Sequence, residues 1–292
     1  MKVAIYSRGI SIEQQQDVQL LLDELAKNNI RALIFSPFFE TIRQVFANPG
    51  SMKVFHDSDD LDESIDFVIS LGGDGTMLDT VTLVKNKNIP VLGINFGRLG
   101  FLAGIGRKAM HTAVRALVNR TYVIDKRSLI HFDADKELFN GMPYGLNEFA
   151  IHKTDTSPMI KVHTYLNGEF LNTYWADGVI VATPTGSTGY SLSCGGPIVF
   201  PESASFVITP VAPHNLNVRP IIVPDNNIIS FEVEGRTDNF ICALDSRKEI
   251  VDKKIQVAVS RESFDISLVR LNENNFLQTL REKLSWGLDT RN

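Results

Sequence analysis

The first 120 residues alternate short apolar runs with helical periodicity, and this alternation constrains the fold more than any other feature of the chain. Val3–Tyr6, Ala32–Phe35, Phe67–Leu71 and Pro90–Asn95 read as strands. Ser11 stands before the first helical segment with Gln14 three residues on, the spacing of a capping box. Ile12, Leu21, Leu22 and Leu25 supply its buried face, and Asn28-Asn29 ends it. Further helices are expected around Glu40–Ala47, where Pro49-Gly50 stops the chain, and over Thr76–Lys87 and Arg107–Asn119. Strand–helix alternation of this kind implies a parallel sheet covered on both faces, here an α/β domain with a Rossmann-like sheet.

Near Thr121 the pattern changes to short β-rich runs separated by turn residues. Lys161–Leu166 and Glu169–Trp175 flank Asn167-Gly168, a dipeptide that favours a two-residue hairpin turn. Ile228–Glu234, Phe240–Leu244, Lys254–Ser260 and Phe264–Arg270 read as further strands. Asn275–Trp286 returns to helical spacing through Phe276, Leu277, Leu280 and Leu284. The expected division is an α/β domain over 1–122, a β-rich domain of sandwich type over 123–271, and a helical segment over 272–292 that returns to the first domain.

Composition narrows the function classes. The 292 residues are 43% hydrophobic and 22% charged, ordinary globular values that exclude a disordered or fibrous chain. Lys and Arg total 29 against 34 Asp and Glu, so the net charge of -5 argues against nucleic acid or an anionic membrane as a partner. No run approaches the 18 or so apolar residues of a membrane span, and MKVAIYSRG lacks the apolar core of a signal peptide. Cys194 and Cys242 stand in no CxxC, which suits buried thiols in the cytoplasm. The acidic stretch Asp57–Asp66 matches no calcium loop and reads as a solvated connection.

Two motifs carry chemistry. Gly72-Gly73-Asp74-Gly75-Thr76 lies between the Phe67–Leu71 strand and a helix, where glycines let backbone N–H groups approach a phosphate and the helix dipole favours it. A carboxylate is out of place in a plain phosphate cradle, so Asp74 needs a task of its own, such as polarising a hydroxyl or holding a magnesium ion. The sequence carries neither the P-loop lysine pattern nor a GxGxxG after the first strand. The second motif, Thr183–Tyr190 (TPTGSTGY) with Ser191–Pro197 beyond it, leaves the apolar run Val179–Ala182 and offers hydroxyls for ribose, phosphate or amide groups. Asn147-Glu148, Asp177-Gly178 and Thr209–His214 accompany it, and the Asn95–Phe101 loop offers Arg98 for phosphate and Phe101 for contact with a ring of the bound cofactor.

Taken in this order, GGDGT, Asn147-Glu148, Asp177-Gly178, TPTGSTGY and the Pro-framed Thr209–His214 turn resemble the NAD kinase family. The resemblance implies ATP- and divalent-metal-dependent phosphorylation of the 2′-hydroxyl of the adenosine ribose of NAD, with Mg²⁺ as the usual metal and Asp74 as the base. It places Gly72, Gly73 and Gly75 against phosphates and Asn147 and Glu148 at the ribose and adenine of NAD. It further assigns Thr188, Gly189, Tyr190, Ser191, Leu192 and Ser193 to nucleotide contacts. Asp177 and Ala212 match positions that contact NAD in part across a subunit interface, which implies a homodimer or homotetramer. No residue is assigned as a metal ligand. Gly189 stands where the family commonly has alanine, Val211-Ala212 where Ile-Cys is common, and Asp245-Ser246-Arg247 where Asp-Gly-Gln is common, so Arg247 inherits no role. GGDGT also resembles lipid kinases of the diacylglycerol and sphingosine type, which would require an amphipathic membrane segment that the sequence lacks. A non-catalytic NAD(P) sensor is the other alternative, and the retained Asp74 speaks against it.

Overall fold

All five residues of β4 (Phe67–Leu71) and of β5 (Val91–Asn95) are buried, as strands covered on both faces must be. This is a computed structural model of the chain, and residues 1–43, 52–98, 100–154, 158–271 and 275–286 are described. The other strands of the first unit are β1 (Lys2–Tyr6), β2 (Arg31–Phe35), β3 (Lys53–Phe55), β6 (Ile105–Gly106) and β7 (Tyr122–Arg127). A late strand, Ile266–Leu271, joins the same sheet and is numbered β20 after the twelve strands of the second unit. The order is β3-β2-β1-β4-β5-β20-β7, with β6 beside β5, and the pairs β2–β3, β1–β2, β1–β4, β4–β5, β5–β6 and β5–β20 are parallel. The strand order reverses between β1 and β4. Such a switch point opens a crevice at the carboxyl ends of the strands, the usual ligand position in open α/β sheets.

The helices α1 (Gln15–Lys27), α2 (Ser36–Ile42), α3 (Asp74–Val84) and α4 (Met110–Asn119) accompany these strands, and a further helix follows β20. The expected capping box is present, with the Ser11 N–H donating to Gln14 Oε1 at 3.1 Å. It caps a 3-10 turn, Ile12–Gln14, rather than α1 itself. Ile12 therefore falls outside the α-helical frame and is 82% exposed, unlike Val18, Leu21, Leu22 and Leu25, which are buried. α2 begins at Ser36 with a proline in its first turn, earlier than the expected Glu40; the Pro49-Gly50 stop lies outside the described residues. α3 begins at Asp74, two residues before the expected start, because Gly73 occupies the N-cap. Asp57–Asp66 is a connecting loop, whose Asp57, Asp60 and Asp62 accept nearby backbone N–H groups.

Among its described residues the second unit, 127–265, is all β apart from short helical turns. Its strands are β8 (Ile130–Ala134), β9 (Tyr144–Gly145), β10 (Glu148–Lys153), β11 (Ile160–Leu166), β12 (Glu169–Ala176), β13 (Gly178–Ala182), β14 (Ser205–Val211), β15 (Ile221–Pro224), β16 (Ile229–Glu234), β17 (Asn239–Leu244), β18 (Arg247–Asp252) and β19 (Val257–Arg261). They form two six-stranded sheets, β15-β14-β13-β10-β17-β18 and β12-β11-β16-β19-β8-β9. Alternate residues of both face one core, where Phe149 of the first sheet meets Phe132 and Phe231 of the second with ring centroids 5.2 and 6.0 Å apart. This is the sandwich packing the sequence pattern implies. The Asn167-Gly168 hairpin closes with φ of 51° and 82°, the two positive values a type I′ turn requires.

Three sequence expectations need correction. The β-rich domain does not run to 271. The first unit holds residues 1–126 and 266–292, so β20 belongs to the parallel sheet. Five of its six residues are buried, and periodicity alone cannot separate such a run from a sandwich strand. β19 starts at Val257 rather than Lys254, because Asp252 accepts the N–H groups of Lys254 and Ile255 in a turn. The C-terminal helix, α6 (Phe276–Leu284), is capped by the Asn275 side chain and buries Leu280, but Leu277 is half exposed. Among the described residues no helix is long and apolar enough to cross a membrane.

Candidate active site

In the first unit the GGDGT turn leaves the carboxyl end of β4, one strand from the β1 end at the switch point. Gly72 has φ +151°, and a Cβ there would meet the Thr76 hydroxyl at 2.3 Å. The turn therefore depends on glycine. Asp74, the first residue of α3, points its carboxylate at the loop after β5. There Oδ2 accepts the Phe101 N–H at 2.8 Å, and Oδ1 accepts those of Leu102 and Ala103, each at 3.0 Å. A Cβ on Gly100 would lie 1.8 Å from Oδ1, so that loop can hold Asp74 only with glycine at 100. The Asn95 side chain shapes the same loop, accepting the Gly97 N–H and donating to the Arg98 carbonyl. Phe101 thus reaches the site through its backbone.

The second unit gathers the other motifs on one sheet. Glu148 opens β10, and β13 and β17 flank that strand. Asp245, in the β17–β18 turn at φ 52°, accepts the N–H groups of Leu146, Asn147 and Glu148 at 2.7, 2.7 and 3.1 Å. On the other side the Asn147 carbonyl accepts the Thr183 N–H, and a Cβ on Gly186 would meet that carbonyl at 2.0 Å. Asn147-Glu148 is therefore pinned between the Asp245 turn and the TPTGST turn.

From Thr183 the chain turns back over the outer face of its own sheet. Ala150, Ile180, Ala182 and Val207 form a small apolar cluster there with Val199 from the returning chain. The short helix α5 (Tyr190–Ser193) brings the Tyr190 ring to 5.5 Å from His152. His152 pairs with Gly178, so the loop spans from the Glu148 end of the sheet to the end that carries Asp177 and Ala212. Asp177 pairs with Lys153 at 2.9 Å, and Ala212 is exposed with φ 45°. Next to it the His214 ring stacks on Trp175 at 4.7 Å, which gives this histidine a structural place.

Most hydroxyls of this loop hold it together rather than face outward. Thr183 Oγ1 donates to the Leu146 carbonyl and Ser187 Oγ to that of Pro184, while Thr188 Oγ1 donates to Thr185. Ser191, expected at the nucleotide, is fully buried with its hydroxyl 2.8 Å from that of Thr209, because the loop must be tied to β14 beneath it. Its side chain supports the site and does not line it. Tyr190 and Ser193 are exposed, and Thr188, Gly189 and Leu192 are partly so. Glu148 Oε2 is inaccessible and has no hydrogen-bond partner. Burial, with the Asp245 carboxylate beside it, pushes Glu148 up to about 8 against the pull of the Tyr190 N–H. Desolvation also raises Asp245, opposed by its three N–H donors, and burial lowers His152. Arg247 donates to the Met142 and Tyr144 carbonyls, which accounts for it structurally.

Family models describe both parts of the chain: the ATP-NAD kinase N-terminal domain matches residues 48–122 and the ATP-NAD kinase C-terminal domain residues 146–271. The NAD kinase of Cytophaga hutchinsonii is 49% identical over the full length of both chains. Those of Flavobacterium psychrophilum and Bacteroides fragilis (strain ATCC 25285) are 42% and 40% identical, again over the full length of both. This chain belongs to the ATP-NAD kinase family. Its fold matches that of yeast NADH kinase complexed with NADH, with TM-score 0.88 and 24% identity over 100% of this chain and 89% of the yeast one. It also matches an Archaeoglobus fulgidus NAD kinase in complex with ATP, with TM-score 0.77 and 23% identity over 98% and 99%.

Within this ATP-NAD kinase the sequence motifs left several supporting residues unassigned. Asp245 is the anchor of Asn147-Glu148, and its place directly after the apolar run Phe240–Leu244 is the one sequence signal for it. Gly100 and Asn95 shape the loop that holds Asp74, yet neither carries a pattern that a linear reading can separate from an ordinary βα connection. Arg8 and Asp79 lie beside the GGDGT turn, outside every sequence motif.

Proposed function

We propose that this chain transfers the terminal phosphoryl group of ATP to the 2′-hydroxyl of the adenosine ribose of NAD, with Asp74 taking the hydroxyl proton. The new bond joins the ribose 2′-oxygen to the γ-phosphorus, the β–γ bridging bond breaks, and ADP leaves. The observation that carries this reading is the Asp74 carboxylate fixed by three backbone N–H groups beside the sheet's switch point, in a member of the ATP-NAD kinase family. A ribose hydroxyl is a weak nucleophile at neutral pH, so a positioned acceptor lowers the barrier. Oδ2 takes one N–H where Oδ1 takes two, and it keeps a lone pair for that proton.

Gly72, Gly73 and Gly75 are proposed to lie against phosphate, with Phe101 contributing beside Asp74. Asn147, Glu148, Asp177, Thr188, Gly189, Tyr190, Leu192, Ser193 and Ala212 are proposed for NAD. Glu148 suits a polar group of the ligand because its Oε2 is buried without a partner. Among the described residues no three His, Cys, Asp or Glu side chains gather into a metal site. The Asp74 carboxylate is taken up by N–H groups and that of Asp79 by Arg8. Mg²⁺ keeps few protein ligands beside substrate phosphates, so these residues fit an ion carried on ATP, where it would neutralise phosphate charge. Two free thiols suit a cytoplasmic enzyme.

Self-association is part of the proposal. Trp175, Leu216 and Ile222 are 47%, 83% and 51% exposed, on or beside the sheet-edge strands β12 and β15, where a second copy could cover them. Sedimentation velocity at micromolar protein should show a dimer or tetramer, and a monomer there removes this part of the proposal.

The deciding assay follows NADP formation from NAD, ATP and Mg²⁺ by wild type and Asp74→Asn. We expect wild-type turnover and a variant kcat lower by roughly 10²–10⁴-fold with an unchanged melting curve. No NADP from wild type overturns the reaction; near-normal turnover by Asp74→Asn removes Asp74 as the proton acceptor.

A further inference from the structure

Arg8 follows the carboxyl end of β1, across the switch point from the GGDGT turn at the end of β4. Its Nε and Nη2 both donate to the Asp79 carboxylate, the latter at 2.6 Å to Oδ1, and the Tyr6 hydroxyl donates to Asp79 Oδ2 at 3.1 Å. Asp79 sits in α3, on the helix that Asp74 opens. Asp79, itself braced by Tyr6, therefore fixes the guanidinium in place. The Asp79 pair uses the Nε–Nη2 edge and leaves Nη1 over the turn: a Cβ on Gly75 would lie 3.3 Å from it. Among the described residues no acceptor takes the Nη1 protons, and half of the side chain is open to solvent.

A purely structural ion pair gains little at such exposure, and it explains neither the orientation over a glycine turn nor the brace that the Tyr6 hydroxyl gives Asp79. The charge balance explains both. Asp74 and Asp79 would repel a polyphosphate approaching the turn, and a cation held against that turn offsets them where the phosphates must come. Arg donors in a fixed plane bind phosphate oxygens with directional hydrogen bonds, and a guanidinium already clamped loses little entropy on doing so.

We infer that Arg8, held by an Asp79 that Tyr6 braces, grips the phosphate chain of the ATP donor through its Nη1 edge, with Asp79 as its positioning residue. The inference deepens the reading of the chain as an ATP-dependent kinase and rests on it.

Two measurements on the full chain keep the two ideas separable: direct ATP binding without NAD, by calorimetry with Mg²⁺, and steady-state kinetics with each substrate varied. Arg8→Ala should weaken ATP binding and lower kcat/KM for ATP by about 10- to 100-fold, the scale of hydrogen bonds to a charged group. KM for NAD should move less than about threefold, and adenosine, which lacks phosphates, should bind wild type and variant alike. Arg8→Lys should recover part of the loss, because it keeps the charge without the planar fork. Asp79→Asn should show the same ATP-selective defect, smaller in size. Melting curves of all three should overlay wild type within a few degrees, and Arg8→Lys serves if Arg8→Ala does not fold. Unchanged ATP binding in Arg8→Ala, or a loss that falls on NAD instead, overturns the assignment, as does a wild type that binds no ATP. ATP binding that depends on Arg8 in a chain that makes no NADP would uphold Arg8 and overturn only NAD as the acceptor.

Discussion

Asp74 and Asp245 each collect three backbone N–H groups, and their surroundings set them to different work. Asp74 is partly open at the end of a strand, where a substrate can reach it. Asp245 is desolvated beneath Asn147-Glu148 and fixes their backbone. Burial, with the Asp245 carboxylate beside it, pushes the Glu148 carboxyl up to about 8 from near 4.5. The sign of the linkage follows. The unfolded chain releases the Glu148 proton near its ordinary value and the folded chain only near 8, so this group's contribution to stability is whole at low pH and is lost as pH rises through that interval. Melting temperatures of wild type and Glu148→Gln, measured from pH 5 to 9, should therefore diverge as pH rises, with the variant the more stable at pH 9. Parallel curves would show that Glu148 does not titrate in that window.

At the scale of elements, the covering loop after β13 depends on close approach more than on its hydroxyls. Gly186 lets the turn lie against the Asn147 carbonyl, where a Cβ would come to 2.0 Å. Gly186→Ala should push the turn off β10, cost about 1–3 kcal/mol as overpacking does, and weaken NAD binding at least tenfold. Chemical denaturation and calorimetric titration with NAD would check this. By contrast Ser193→Ala, on an exposed hydroxyl, should leave stability within about 0.5 kcal/mol. The hairpin at Asn167-Gly168 and the core strands β4 and β5 were legible in the sequence because their signals are local: two residues able to take positive φ, and short, mostly apolar runs. The loop's path over its sheet was not, since it depends on the apolar outer face made by Ala150, Ile180, Ala182 and Val207 from three different strands.

At the scale of the whole molecule, the first unit is built from both ends of the chain. β20 lies between β5 and β7 inside a sheet whose other strands all precede residue 128, while the second unit is one continuous stretch. A chain cut after Asp265 should lose the interior strand of its first sheet and expose the flanking apolar edges, so it should be insoluble or readily digested by protease. Residues 127–265 alone should retain a cooperative thermal transition. A soluble, protease-resistant first unit in the cut chain would show that β20 is dispensable.

The sequence by itself determined the two kinds of domain, the strand–helix alternation of the first, and the motifs that resemble the ATP-NAD kinases. Each of these rests on local spacing: period, turn residues, or a short fixed order of residues. Tertiary structure alone decided that Ile266–Leu271 joins the parallel sheet, that Ser191 is a buried support, that Asp245 holds Asn147-Glu148, and that Arg8 is clamped over the GGDGT turn. Those facts concern residues tens to hundreds of positions apart. No local pattern encodes them, because strand pairing, burial and hydrogen bonding select them only once the sheets have assembled.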